Sequence, residues 1–464
     1  MKYLVLSFVI VLLILIASSC RKTTFINSPN ALSSFSTDTL HFDTVFTTIG
    51  SITQSFKIFN QNDQKLRLSQ IRLMGGASSP YKINVDGTPG VSFSDIELEP
   101  NDSVYVFVSV TINPNAADLP FVVQDSILVN YNGNSKYVQL QAFGQNAHFL
   151  RNQRVTTDSI WNSDLPFVIL GGLSVDSNVT LTISKGCKIY CHADAPFIVN
   201  GTLQVNGEMY DSTRVTFRGD RLDPGYSDLP AAWPGIYFTS SSINNVLTYA
   251  IIKNAYQGII TESATSINPK ITLNQCVIDN IYDAGIISFA SSIKAVNCLI
   301  SNCGSNISIA AGGNYLFDHC TVASYANAYI EHKNPVLFVT NAYGQNQAFA
   351  LAAQFRNCIF YGEGGIVANE LVVDKKESAD TFDVTFQNVL YKNKDNLIDP
   401  MFTSSIKNQL PTFDSIDAGR QIFNFHLKPT SPAIDKGIPT GIAIDLDGKK
   451  RGTLNLPDLG CYEQ

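Results

Sequence analysis

The sequence predicts an all-β chain in two parts, an antiparallel β-sandwich followed by a parallel β-helix. Two observations lead there. Residues 38–147 are short runs of alternating apolar and polar residues, the period of a half-buried strand, broken by Gly, Pro, Asn and Asp. From residue 148 onward short apolar strands recur at a near-constant interval: Cys276, Cys298 and Cys320 are each 22 residues apart, and Cys358 sits in the same local pattern. Such a period marks stacked repeats.

At the N-terminus Lys2 precedes an apolar run from Tyr3 to Ile16, followed by Ala17-Ser18-Ser19-Cys20. A charged start, a short apolar middle and a small-residue exit are the parts of a secretory signal, and the run is too short for a mature membrane span. The cysteine after the small residues resembles a bacterial lipoprotein signal. That resemblance implies removal of residues 1–19, acylation of Cys20 and a tether over 20–37. Ala17 stands where such signals more often carry Leu, which leaves ordinary secretion with cleavage near Ser19 as the alternative. Arg21 rather than Asp follows the cysteine, so nothing resembles an inner-membrane retention signal, and the outer membrane is the expected location. Which side of it the protein faces stays open.

At 464 residues the chain exceeds what one core usually organises. Charged residues make up 15% and the formal net charge is −7, with no basic patch interleaved with aromatics, which excludes nucleic acid as a partner. Of nine cysteines, eight remain once Cys20 is given to lipid. Thiols one repeat apart in a parallel stack lie about 4.8 Å from each other and point the same way, whereas a disulfide wants its Cβ atoms at about 3.5 to 4.5 Å. The reading is an inward ladder of free thiols. Cys187 and Cys191 share a face of an extended segment about 13 Å apart. Without His partners at zinc-like spacing they are not a metal pair.

In the first part, Val104, Val106, Val108 and Val110 are the clearest strand. Others are carried by Phe56 and Ile58, Leu66 and Leu68, Tyr81, Ile83 and Val85, Ile127 and Val129, and Val138 and Leu140. Asn132-Gly133 is read as the hairpin turn between the last two. The stretches Phe56-Lys57-Ile58-Phe59-Asn60, the leucine run to Met74-Gly75-Gly76, and Leu98-Glu99-Pro100-Asn101-Asp102 resemble immunoglobulin-like domains of the Hydin and SPD-2 type. The resemblance implies an immunoglobulin-like β-sandwich over 38–147 serving adhesion or spacing.

In the second part, Leu273-Asn274-Gln275-Cys276-Val277-Ile278-Asp279-Asn280 aligns with Ala295-Val296-Asn297-Cys298-Leu299-Ile300-Ser301-Asn302 and with Leu247-Thr248-Tyr249-Ala250-Ile251-Ile252-Lys253-Asn254. Copies beginning at Phe317, Phe355 and Phe386 continue the series. Such a unit cannot bury its own apolar face and must stack on copies of itself. Leucine-rich repeats share the period, but their leucine signature and helical half are absent. Gly171-Gly172-Leu173-Ser174-Val175, Leu181 to Cys187 and Val199 to Gly207 resemble the early coils of secreted right-handed parallel β-helix proteins, and the tail 420–464 resembles the segment that closes many of them. The resemblance spans most of 148–464 and implies architecture, not activity. About 300 residues at roughly 22 to 30 per coil give about ten to fourteen coils, a rod on the order of 50 to 65 Å.

A β-helix polysaccharide lyase needs carboxylates, for calcium or for binding, and a base on one exposed face. The densest candidate is Arg218, Asp220, Arg221, Asp223, Tyr226, Asp228 and Trp233, an excursion between two coils that brings an aromatic for sugar stacking; a solvated loop in which Trp233-Pro234-Gly235-Ile236 packs back on the stack is the competing reading. Asp318-His319 resembles the Asp-His pair of pectate lyases but occupies an ordinary bend of the repeat. Glu331-His332-Lys333 is an acid, a base and a cation in a row, yet consecutive strand residues face alternate sides. Asp374-Lys375-Lys376-Glu377 is read as a solvated charge run, and Asp445, Asp447 and Asp458 as turn-forming carboxylates rather than a calcium loop. No nucleophile elbow, phosphate loop, dinucleotide fingerprint or zinc motif appears. The expectation is an envelope lipoprotein whose β-helix is a non-catalytic surface for a polysaccharide or another envelope component. No resident cofactor or metal is expected. A lyase or glycoside hydrolase, with calcium as its ion, is the alternative, and a surface adhesin differs only in partner.

Overall fold

The computed structural model describes residues 24–47, 50–113, 121–223, 225–263, 269–344, 347–377, 380–397, 401–452 and 455–464; the expected signal segment, 1–19, and Cys20 lie outside the described residues. The chain divides into two compact units, 1–146 and 147–464.

The first unit is a sandwich of two five-stranded sheets. One runs Ser33–Phe35, Gln54–Asn60, Ser103–Val110, Tyr81–Val85, Thr88–Gly90; the other Thr39–Phe46, Asn134–Gln145, Phe121–Tyr131, Leu66–Leu73, Ser92–Leu98. The alternation decides the faces: Val104, Val106, Val108 and Val110 all point into the core, against Phe42, Ile58 and Leu68. Asn132 and Gly133 have φ of 46° and 80°, the left-handed pair that a tight hairpin turn needs. Two expectations change. The sandwich is not purely antiparallel, because Thr39–Phe46 runs parallel to Asn134–Gln145. Nor is 20–37 simply a tether: Ser33–Phe35 pairs with residues 58–60 and Ala31 is buried in the core.

The second unit is a parallel β-helix of three strand columns. The first column stacks ten strands, from Ser159–Trp161 through Thr202–Asn206 and Ile271–Asn274 to Phe402–Thr403, giving a stack roughly 45 Å long. The second includes Lys188–Cys191, Val215–Gly219, Ala250–Lys253, Val277–Asp279, Leu299–Ser301 and Thr321–Tyr325; the third includes Phe197–Val199, Ile236–Phe238 and Gln257–Glu262. The 22-residue interval is the bare coil, as in Leu181 over Leu203 and Leu273 over Ala295. Longer coils carry excursions, the largest over 220–235 and 326–336 between the second and third columns.

Like stacks on like inside. Phe317, Phe355, Phe386 and Phe402 form a column with ring centroids 5.4, 5.0 and 4.7 Å apart. The eight described cysteines are free and buried, and the Cys276, Cys298 and Cys358 thiols donate to main-chain carbonyls such as those of Leu247, Val296 and Arg356. Six successive bends from first to second column use one left-handed residue each: Tyr249, Gln275, Asn297, His319, Asn357 and Asn388 have φ between 47° and 53°. Asn tolerates that region best, so His319 sits in a bend position, as its alignment implies.

The tail does not simply close one end. It runs lengthwise over this bend column, against the coil order: Asn388 Nδ2 donates to the Lys436 carbonyl (2.7 Å), Asn357 brackets Ile438 (2.8 and 2.9 Å), Asn297 Nδ2 donates to Ile444 (2.7 Å), and Arg214 to Leu446 (3.1 Å). Buried Arg451 fastens it, donating to Asn297 Oδ1 (2.8 Å), the Gly460 carbonyl (2.9 Å) and Glu463 (2.9 Å). Asp445 and Asp458 accept backbone N–H groups of Asp447, Lys449, Glu463, Asp435 and Gln464, which is turn-forming work. Asp447 differs: its carboxylate bonds His426 Nε2 at 2.7 Å.

Candidate functional site

The outer face of the second column carries the most varied chemistry. Tyr190 and Arg218 are register partners, Lys253 lies abreast of Arg218, and Asp279 and Ser301 follow. Beyond Ser301 this face is covered: Ala323, Ile359, Tyr361 and Leu390 pack under the hairpin Phe413–Asp417 and Ile422–Leu427 and the tail. Where the cover ends, a cleft of about 360 Å³ opens. Its floor is Lys253, Asp279, Asn280 and Asn302; the 220–235 excursion supplies Gly225, Ser227 and Asp228, the 326–336 excursion Asn327 and Tyr329, and the hairpin Gln421 and Phe423.

Bend asparagines hold the first wall. Asn254, Asn280 and Asn302 are left-handed (φ 62°, 58° and 51°) at the bends leaving the second column. Asn254 Nδ2 donates to the Ser227 carbonyl (2.7 Å), and Asn280 Nδ2 to the Asp228 carbonyl (2.8 Å) and Asn254 Oδ1 (2.9 Å). Arg218 also donates to the Ser227 carbonyl from below. On the floor Asp279 accepts from Ser301 Oγ (2.7 Å) and Asn302 Nδ2 (3.3 Å) and pairs with Lys253 Nζ (3.3 Å). Asp228 and Asp279 against Lys253 leave the cleft one net negative charge.

Of the seven candidates named from the sequence, only Asp228 lines this cleft. Trp233 is 1% exposed and donates its indole N–H to the Lys253 carbonyl (2.9 Å), which corrects the expectation of a sugar-stacking ring. Arg221 grips Asp223 at 2.8 and 2.9 Å and covers the Tyr226 ring at 3.9 Å. Asp220, its side chain 8% exposed, bonds His192 Nδ1 of the previous coil at 2.7 Å, while His192 is 47% exposed. Burial raises the Asp220 pKa and the His192 contact opposes that rise. The carboxylates of Asp220, Asp223 and Asp228 are therefore spent on different surroundings rather than gathered as one catalytic group.

The remaining motifs are structural. His332 is buried against Glu370 (2.9 Å), whereas Glu331 and Lys333 pair with each other in solvent. Asp318 pairs with Arg356 (2.5 Å), yet burial lifts its pKa to about 6. Burial, with Arg451 nearby, holds His319 down to about 2, so it is a neutral acceptor for Asn357 Nδ2 at 2.9 Å. Lys375 and Glu377 pair on the surface. Among the described residues no group of three or more His, Cys, Asp or Glu side chains is placed to hold a metal ion.

The sequence reading missed Lys253, Asp279 and Asn302 even though they end the aligned repeats as Lys253-Asn254, Asp279-Asn280 and Ser301-Asn302. A changing polar residue before a constant Asn was the available signal. Tyr329, Gln421 and Phe423 had none, because they reach the cleft from distant excursions.

No protein-family model and no curated protein matches the chain. Similar solved structures include a family 123 glycoside hydrolase from Clostridium perfringens, described in a study of glycolipid glycan hydrolysis, at 12% identity and a TM-score of 0.19, covering 27% of this chain and 31% of that one. The chain thus spans less than a third of that enzyme. The PapD-like domain 7 of human CEP192 is similar at 12% identity and a TM-score of 0.18, covering 27% of this chain and 92% of that one.

Proposed function

We propose that the chain is an outer-membrane lipoprotein, anchored through Cys20, whose β-helix binds glycan in the cleft without catalysis. The composition of the cleft carries the reading. Sugar hydroxyls both donate and accept, and Asn280, Asn302, Asn327 and Gln421 offer both functions, Asp228 and Asp279 accept, and Tyr329 and Phe423 add ring surface. The net negative charge favours neutral over acidic sugars. The test is retardation of the soluble protein in gels containing neutral or acidic polysaccharides. Neutral glycans should retard it, and Asp279→Ala should weaken retention about tenfold or more; retardation by acidic glycans alone, or by none, sinks the reading. Labelled fatty acid incorporated by the wild type and lost in Cys20→Ser tests the anchor; equal incorporation counts against it.

A second reading, polysaccharide lyase or glycoside hydrolase, is favoured by the His192–Asp220 pair, where a carboxylate orients an exposed imidazole as general bases require. Reducing ends released by the wild type and not by His192→Gln support it; no release from any polysaccharide removes it.

A further inference from the structure

Four exposed tyrosines lie on one edge of the stack. In successive passages from the second to the third column the chain places Tyr226, Tyr256, Tyr282 and, after a coil with Gly304 in this region, Tyr329. They are 46, 46, 51 and 44% exposed. Tyr256 and Tyr282 stack with ring centroids 5.7 Å apart and planes 26° apart. The gap at Gly304 is enforced, since a Cβ there would meet the Tyr282 and Asp283 carbonyls at 2.3 and 2.6 Å.

Hydrogen-bonding groups interleave with the rings. Gln257 donates to Asp283 Oδ2 (2.7 Å) beside Tyr256 and Tyr282, and Asn254 and Asn280 precede those tyrosines by two residues. Asn280 and Tyr329 belong to the cleft itself, so edge and cleft are continuous along the chain. The stacked Tyr256 and Tyr282 rings, with an amide and a carboxylate beside them, match a ligand that alternates apolar ring faces with hydroxyls.

We propose that the ligand is a linear, neutral polysaccharide lying along the stack axis over the Tyr226–Tyr256–Tyr282–Tyr329 edge, with one of its sugars seated in the cleft. The inference rests on the cleft being a saccharide site, and chain length separates the two. The probe is a neutral oligosaccharide series, from a disaccharide to chains longer than the edge, titrated calorimetrically into the wild type, Asp279→Ala and the Tyr256→Ala, Tyr282→Ala double variant. Wild-type affinity should climb with length until the edge is covered and then level off. The double variant, whose substitutions are at exposed positions, should keep the short-chain affinity and lose the climb, about tenfold or more for the longest chain. Short chains that bind as tightly as long ones, or a double variant indistinguishable from wild type, overturn the proposal while leaving the cleft intact; no binding of any chain overturns both.

Discussion

The interior of the stack and its second-to-third edge are cut from the same coils and follow opposite rules. Inside, residue type persists: Cys276, Cys298, Cys320 and Cys358, or Phe317, Phe355 and Phe386, fall on one another because a coil must match the shape of the coil below. Outside, the row Arg218, Lys253, Asp279 and Ser301 changes at every step until the hairpin and tail cover it at Ala323. Packing does not dictate that row, so its chemistry is free to serve a ligand. The excursions and tyrosines gather along the adjoining edge.

The contrast is sharpest where interior substitutions are costly and edge substitutions are not. Phe355→Ala removes the middle ring of the phenylalanine column and should cost about 3 to 5 kcal/mol, read as a lowered midpoint in denaturant unfolding of the β-helix. Arg451→Ala leaves Glu463 and Asn297 without their shared cation and should cost about 3 kcal/mol, with new protease cleavage confined to residues 433–463.

His319 is an interior exception at a bend, and pH exposes it. Its folded pKa of about 2 lies below the ordinary 6.5, so its contribution is fully present above pH 6.5 and is lost as pH falls toward 2. Asp318 acts oppositely: raised to about 6 from 3.8, it favours the fold most below pH 3.8 and loses that contribution as pH rises through 6. His319→Asn, the residue at the Asn297 and Asn357 bends, should therefore be more stable than wild type at pH 5 and show no such gain at pH 8. Equal stability differences at both values would contradict the assignment. The smallest effect belongs to the edge: Tyr282→Ala should move stability by no more than about 0.5 kcal/mol while weakening long-chain binding.

The same division governs what could be read from the sequence. The 22-residue thiol spacing revealed the coil because stacking repeats residue type at fixed intervals, and the alternating valines revealed the sandwich because one face is buried. Trp233 left two readings open because an aromatic in an excursion reads alike whether it faces a ligand or, as here, packs back on the stack against the Lys253 carbonyl. The lengthwise tail and the Asp220–His192 pair were illegible, since they depend on which coils become neighbours: Arg451 meets Asn297 across 154 residues and His192 meets Asp220 across 28. The cleft was legible only in part, as Asp228 and the polar residue before each bend asparagine.

The most direct test of the proposal that the cleft binds saccharide is calorimetric titration of the unlipidated chain with one neutral and one uronic-acid oligosaccharide of equal length, in wild type and Asp279→Ala. Binding of the neutral sugar by the wild type, weakened about tenfold or more in Asp279→Ala, is the expected result. Preference for the uronic-acid sugar, or neutral-sugar binding untouched by the substitution, contradicts it.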